Sequence, residues 1–349
     1  MDTIEQPSIV GASSPEQIEV YDAKEQPSIS PMRAAVRRFL RDRRAVVCLG
    51  IILFLVIFSF LFPLLYVHMG PKVLDGISGK LIPPELYHQF SYSNLAASDK
   101  PGTLFPLGPN SLTYPLGGDP IGRDMLARLM AGINVSIEVA LFVEVFDIGL
   151  GVLFGTLAGW YGGWLGTVLD RFTDIVFAFP GLLLIILMGA ALGPIFDNIF
   201  KSINPILGRI VMLTLAIGLL AWPLMMRFVR GQTLNLKEQQ FVEASRVSGT
   251  PDGKAITQHI IPNLLNIVVV ASTLSILGSI VGEAALSVLG VGIRPPGSSL
   301  GLMISDSLES IYGQWTELFW PAFVLVVLIV CFSFVGDGVR DAFDPRTKD

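Results

Sequence analysis

The amino-acid sequence predicts an all-α, polytopic membrane protein with six transmembrane helices, and three observations carry that expectation. Only 15% of the 349 residues are charged while 52% are hydrophobic, against roughly 25% charged in soluble domains. Six apolar runs, near residues 45–66, 135–159, 175–193, 208–228, 263–290 and 319–339, approach the ~20 residues a helix needs to cross a bilayer. Arg33, Arg37, Arg38, Arg41, Arg43 and Arg44 crowd in front of the first run, and positive charge of that density favours the cytoplasmic side.

Residues 1–30 carry Asp2, Glu5, Glu16, Glu19, Asp22 and Glu25 against Lys24, with Pro and Ser between them, and read as a disordered acidic cytoplasmic tail. The run Glu5 to Ile9 reappears as Glu25 to Ile29, which fits a partner-binding peptide or low-complexity drift. A secretory signal peptide is not expected, because the first apolar run begins too late and runs too long. Residues 31–67 then form the basic segment and first helix.

The lipid bilayer is the expected surrounding. Net charge is −5 and no basic surface for nucleic acid is evident. Cys48 and Cys331 both fall in apolar runs, outside the pattern of a disulfide framework.

Residues 68–133, rich in proline, read as a long extracytoplasmic loop, either a structured cap or a contact for a delivering partner. The core then spans 134–340, with a cytoplasmic loop at 229–262 and a cytoplasmic C-terminal tail at 341–349. Alternation places Arg171, Arg227, Arg230, Lys237, Arg246, Lys254, Arg340, Arg346 and Lys348 inside, so the charge bias agrees with six spans and two cytoplasmic termini. Trp160, Tyr161, Trp164, Trp315 and Trp320 stand at span ends, as an interfacial belt would.

The loop between the fourth and fifth spans is the most informative stretch. It contains Phe241, Val242, Glu243, Ala244, Ser245, Arg246, Val247, Ser248 and Gly249, then His259, Ile260, Ile261, Pro262 and Asn263. Helical spacing of Ala244 and Val247, a terminal glycine able to take positive φ and a later helix-starting proline suggest two short helices joined by a turn. This resembles the Glu-Ala-Ala loop of ABC importer permeases at Glu243, Ala244, Gly249 and Pro262, with Ser245 in place of the second alanine and Ile261 in place of a leucine.

Three further segments are similar to the dipeptide, oligopeptide and nickel branch of that family. Gly117, Asp119, Gly122, Arg123 and Asp124 match the signature before the second span, with Gly118 where threonine is usual. Glu283, Gly290, Gly292, Pro295 and Pro296 match the segment after the fifth span, and Asp337, Arg340, Asp341, Asp344 and Pro345 match the C-terminal ending. His259, Pro262 and Asn263 fit the peptide branch best, His259 being expected as an interfacial histidine bonded to a loop carbonyl.

The resemblance implies the type I ABC importer permease fold and the C-type permease of a heterodimeric pair. It implies two ATPase subunits that hold ATP-Mg, an extracytoplasmic substrate-binding protein and peptide cargo. The loop around Glu243 would be the coupling helix that docks on an ATPase subunit, and the location would be the inner cell membrane. Nickel, glutathione and oligosaccharide remain open as cargo.

No phosphate-binding loop is present: Gly249 to Ala255 has the wrong spacing and lacks a hydroxyl after Lys254. A non-catalytic subunit without its own cofactor or metal is therefore expected. Glu138, Glu144 and Asp147 fall in the second span, where a carboxylate costs about 2.5–3.5 kcal/mol on insertion scales. Glu144 and Asp147 share a helix face and either line a hydrated path or pair with a partner permease. An ion-coupled secondary carrier would use such acids as its coupling site, but would not need the loop at Glu243.

Overall fold

The computed structural model describes residues 31–69, 116, 119, 125–204, 206–295, 297–308 and 315–343, and among them no strand occurs. The tail at 1–30, most of the stretch 68–133 and residues 344–349 lie outside the described residues. So do Gly117, Gly122, Arg123, Asp124, Pro296, Asp344 and Pro345.

The helices are α1 (Pro31–Arg41), α2 (Arg43–Met69), α3 (Met125–Tyr161), α4 (Gly163–Ala178), α5 (Gly181–Phe200), α6 (Leu207–Lys237), α7 (Gln240–Val247), α8 (Asp252–Ala255), α9 (Ile261–Val288), α10 (Leu300–Leu308) and α11 (Trp315–Phe343). Asp42 separates α1 from α2, and its carboxylate accepts the Arg44 N–H at 2.9 Å, satisfying one of the open amides of a new helix. α3 packs along α6, α9 lies beside both, α2 and α11 pack together and α5 covers α6.

Among the described residues, five helical segments are long and apolar enough to cross a membrane: Arg43–Phe62, Gly181–Phe200, Leu207–Lys237, Asp252–Val288 and Trp315–Phe343. The second expected span falls inside α3, whose 37 residues reach about 55 Å. α3 is not among those five, so the count of six rests on the sequence.

The structure shifts three expected boundaries, each for a visible reason. α3 begins at Met125, so the last part of the stretch read as loop is helical: Met125, Leu129 and Ile133 bury against Phe62, Leu300 and Met303. The run near 175–193 is broken at Phe179, which is extended (ψ 139°) before Pro180, because proline disfavours the α conformation in the residue ahead of it. α6 continues to Lys237 and the helix that runs on through Pro262 begins at Asp252, so the segment between the two long helices is shorter than 229–262.

Gly151, Gly155 and Gly159, four apart on one face of α3, bring its backbone onto Met225, Met226, Val229 and Thr233 of α6. Small residues at this spacing permit close helix approach in membranes. A Cβ on Gly155 would meet the Met226 carbonyl oxygen at 2.7 Å. Gly155→Ala is expected to lower thermal stability in detergent by about 1–3 kcal/mol. Gly149→Ala, with open space around it, should change little, and equal melting of the two variants would contradict the close α3–α6 contact.

Candidate functional site

Two features bear on function: the segment from Gln240 to Asn263 at one end of the bundle, and a cavity part-way along it. α7 opens after Gln239 in extended conformation and carries Glu243 in its first turn, where the helix dipole favours negative charge. Val242 is fully buried and joins Trp160, Val229, Ile256, Ile260 and Leu264 in one apolar cluster. The Arg246 guanidinium stacks 4.2 Å from the centre of the Trp160 ring, and Lys237 Nζ donates to the Trp160 carbonyl at 2.6 Å. One face of α7 is therefore fixed to α3, α6 and α9.

Its other face is open. Phe241, Glu243, Ala244, Arg246 and Val247 are exposed, Val247 to 90%. Ser245 is half-buried. Gly249 closes the helix with φ +77°, its N–H donating to the Arg246 carbonyl at 2.9 Å while the Thr250 N–H reaches back to Ser245 at 3.1 Å, the pattern of a glycine-terminated helix.

The second short helix expected in this segment is not separate. α8 runs through a π turn at Ile256–Ile260 straight into α9, so Pro262 sits inside a continuous rod instead of starting a new helix. The wider turn, in which the Ile261 N–H donates to Ile256, relieves the clash a proline ring would make with the preceding turn. The His259 ring packs against Phe241 at 6.4 Å between centres and not on a loop carbonyl. Its own carbonyl accepts from Asn263 Nδ2 at 2.7 Å.

The family-like segment at the opposite end has a local physical basis. Gly290 ends α9 with φ +76°, and a Cβ on Gly292 would collide with Ser287 Oγ. Pro295 stands in the turn that Gly297 closes onto the Arg294 carbonyl at 2.9 Å. Glu283 is fully buried and accepts from Ser136 Oγ and Ser287 Oγ, each at 2.7 Å. Ser136 Oγ in turn accepts the Leu300 N–H at 3.3 Å, so one carboxylate ties α3, α9 and α10 together. Glu283→Gln, which turns one acceptor oxygen into an NH2 donor, is expected to cost about 1–2 kcal/mol of stability; unchanged thermal unfolding would contradict the tie. Asp337, Arg340 and Asp341 are exposed on the last turns of α11.

Glu144 and Asp147 are 5% and 2% exposed on α3. Asp147 Oδ2 accepts from Ser275 Oγ of α9 at 2.8 Å. Both Glu144 oxygens and Asp147 Oδ1 lack a hydrogen-bond partner. Asp147 lines a cavity of about 670 Å³ bounded by α3, α5, α6 and α9. Ser275 was not anticipated, although Ser275 and Ser279 stand four apart in an apolar run and so share a face. Also unanticipated is an ionic seam between α4 and α6, where Arg227 pairs with Asp174 at 2.5 Å and Arg230 with Asp170.

Among the described residues, a strand-free bundle with several membrane-length helices, buried carboxylates and an exposed helix tied to the end of a long rod fits a multi-pass membrane protein. Residues 151–349 match the family model described as binding-protein-dependent transport system inner membrane component, and residues 30–84 match the N-terminal TM domain of oligopeptide transport permease C. The chain belongs to this family of ABC importer permeases, which are embedded in bacterial inner membranes.

It is 35% identical to the oligopeptide transport system permease protein OppC of Escherichia coli over 90% of this chain and 91% of that protein. It is 33% identical to OppC of Haemophilus influenzae over 90% and 88%. The dipeptide transport system permease protein DppC of Lactococcus lactis is 32% identical over 93% of each. The inward-facing structure of the MetNI methionine ABC transporter aligns with 62% of this chain and 97% of that chain, at 21% identity and a TM-score of 0.48.

Proposed function

We propose that this chain forms half of a translocation path for peptides, as the permease subunit of an ATP-driven importer whose ATPase activity resides on other chains. The observation that carries the peptide reading is the end-to-end similarity to oligopeptide and dipeptide permeases, which extends over 90% or more of the chain. The partners are a second, homologous permease, two ATPase subunits holding ATP-Mg and a substrate-binding protein on the outer face. The chain itself is non-catalytic.

Coupling runs through α7. Its exposed face, from Phe241 to Gly249, docks on an ATPase subunit, and its buried face transmits the resulting displacement through Val242 and Trp160. The next segment is a continuous helix from Asp252 to Val288, about 55 Å long, so movement at its foot reaches the Ser275 level without a hinge loop in between. Closely packed elements of this kind shift between discrete arrangements instead of deforming smoothly.

The end of α11 lies on the same side as α1, because Gly338 packs against Ala45 and Phe39. Both termini are then cytoplasmic, in keeping with the arginine cluster. The test is uptake of a labelled tripeptide by proteoliposomes holding the purified complex. Accumulation that needs both ATP and the binding protein is expected; uptake driven by an ion gradient without ATP would overturn the reading.

A further inference from the structure

We infer that Asp147, together with Glu144, binds the ammonium group at the amino terminus of the peptide during passage; this rests on the peptide-importer reading above. The two acids sit in the middle of the bundle, 98% and 95% buried respectively, with three of their four oxygens unpartnered. Among the described residues neither forms an ion pair, so an ammonium delivered by the cargo would find both carboxylates without a counter-ion.

The surroundings fit a transient ligand. Asp147 opens onto a cavity of about 670 Å³, within the range of small-molecule sites. Its walls are mainly apolar, with Leu224, Phe228 and Leu274 among them, and their polar groups are Ser275, Ser279 and Asp147 itself. Apolar walls with a few convergent polar groups are the usual make-up of a ligand pocket. Ser275 Oγ holds Asp147 Oδ2, and a small shift of the carboxylate toward the cavity would present its buried, unpartnered Oδ1 to an incoming N–H donor. An ammonium supplies three donors and no acceptor and answers both the charge and the open oxygens, while the apolar walls accept the first side chains whatever their sequence.

A basic side chain of the partner permease would satisfy the same charge, but it would be a fixed ion pair, whereas a cavity of this size leaves room for cargo. The cavity also meets α9 at Ser275, Gly278 and Ser279, on the rod that starts at the docking segment. Movement of α9 would therefore alter the Ser275–Asp147 contact and with it the hold on the amine.

The test uses the assembled complex in nanodiscs without its binding protein, and measures binding of Ala-Ala-Phe and of N-acetyl-Ala-Ala-Phe by equilibrium dialysis. The wild-type complex is expected to prefer the free amine by about tenfold to a hundredfold, the value of a charge-assisted hydrogen bond. Asp147→Asn with Glu144→Gln, which keep the shapes, should abolish that preference. Equal binding of the two peptides to the wild type, no binding of either, or an undiminished preference in the variant would overturn the inference. Loss of the partner permease from the variant complex would also overturn it, in favour of an ion pair between subunits. The wild-type comparison needs no mutation. Failure of ATP-driven tripeptide uptake would instead remove the peptide reading itself.

Discussion

Gly249→Arg is expected to leave the chain inserted and folded while removing its grip on the ATPase. Gly249 holds φ +77°, a conformation that costs a residue with a Cβ roughly 1–2 kcal/mol, too little to unfold a bundle whose core lies elsewhere. Open space surrounds it, so the arginine has no internal clash and projects from the exposed side of α7. There it meets whatever docks. A docking loss of about 2 kcal/mol or more, the scale of an interface hot spot, corresponds to roughly thirtyfold in affinity. Co-purification of the ATPase and ATP-driven uptake should fall together, while Gly249→Asn, better tolerated at positive φ, should retain both. Docking retained by the arginine variant would contradict the coupling role of α7.

Arg128→Met should produce the largest loss of stability. Arg128 is 4% exposed at its side chain and pairs at 2.7 Å with both Asp119 and Asp306, while its carbonyl accepts from Ser298 Oγ at 3.0 Å. It joins the segment ahead of α3 to α3 and α10. Removing one member of a buried ion pair costs about 3–5 kcal/mol, and Asp119, with a side chain only 3% exposed, has little access to water. Thermal unfolding in detergent reads the effect. Asp306→Asn should cost less, since Asp306 is 35% exposed, and adding Asp119→Leu to Arg128→Met should recover part of the loss. An unshifted melting curve for Arg128→Met would show that the pair is not sealed from solvent.

The sequence made the helical membrane architecture legible because apolar run length and arginine position respond directly to the bilayer. Gly249 and the acids at 144 and 147 were legible for similar reasons: positive φ and buried charge are demands that few residue types meet. Helix ends were harder. Met125 to Ile133 became helical through burial against Phe62, Leu300 and Met303, a contact between segments distant in the chain. The π turn that carries α8 into α9 looked like a boundary because Pro262 normally marks one. Trp160 read as an interfacial residue and is instead 2% exposed, under Arg246 and beside Lys237, a role fixed only once α3, α6 and α7 converge. The partner of Asp147, Ser275, stands 128 positions away, and local pattern carries no such information.

The pairing of α7 with a separate ATPase is the central claim, and the most direct test is purification of the tagged chain from detergent-solubilised native membranes, followed by mass spectrometry of its companions. Two ATPase subunits and a second permease are expected in fixed proportion, with the ATPase lost from the Gly249→Arg preparation. A homo-oligomer free of any ATPase would contradict the account.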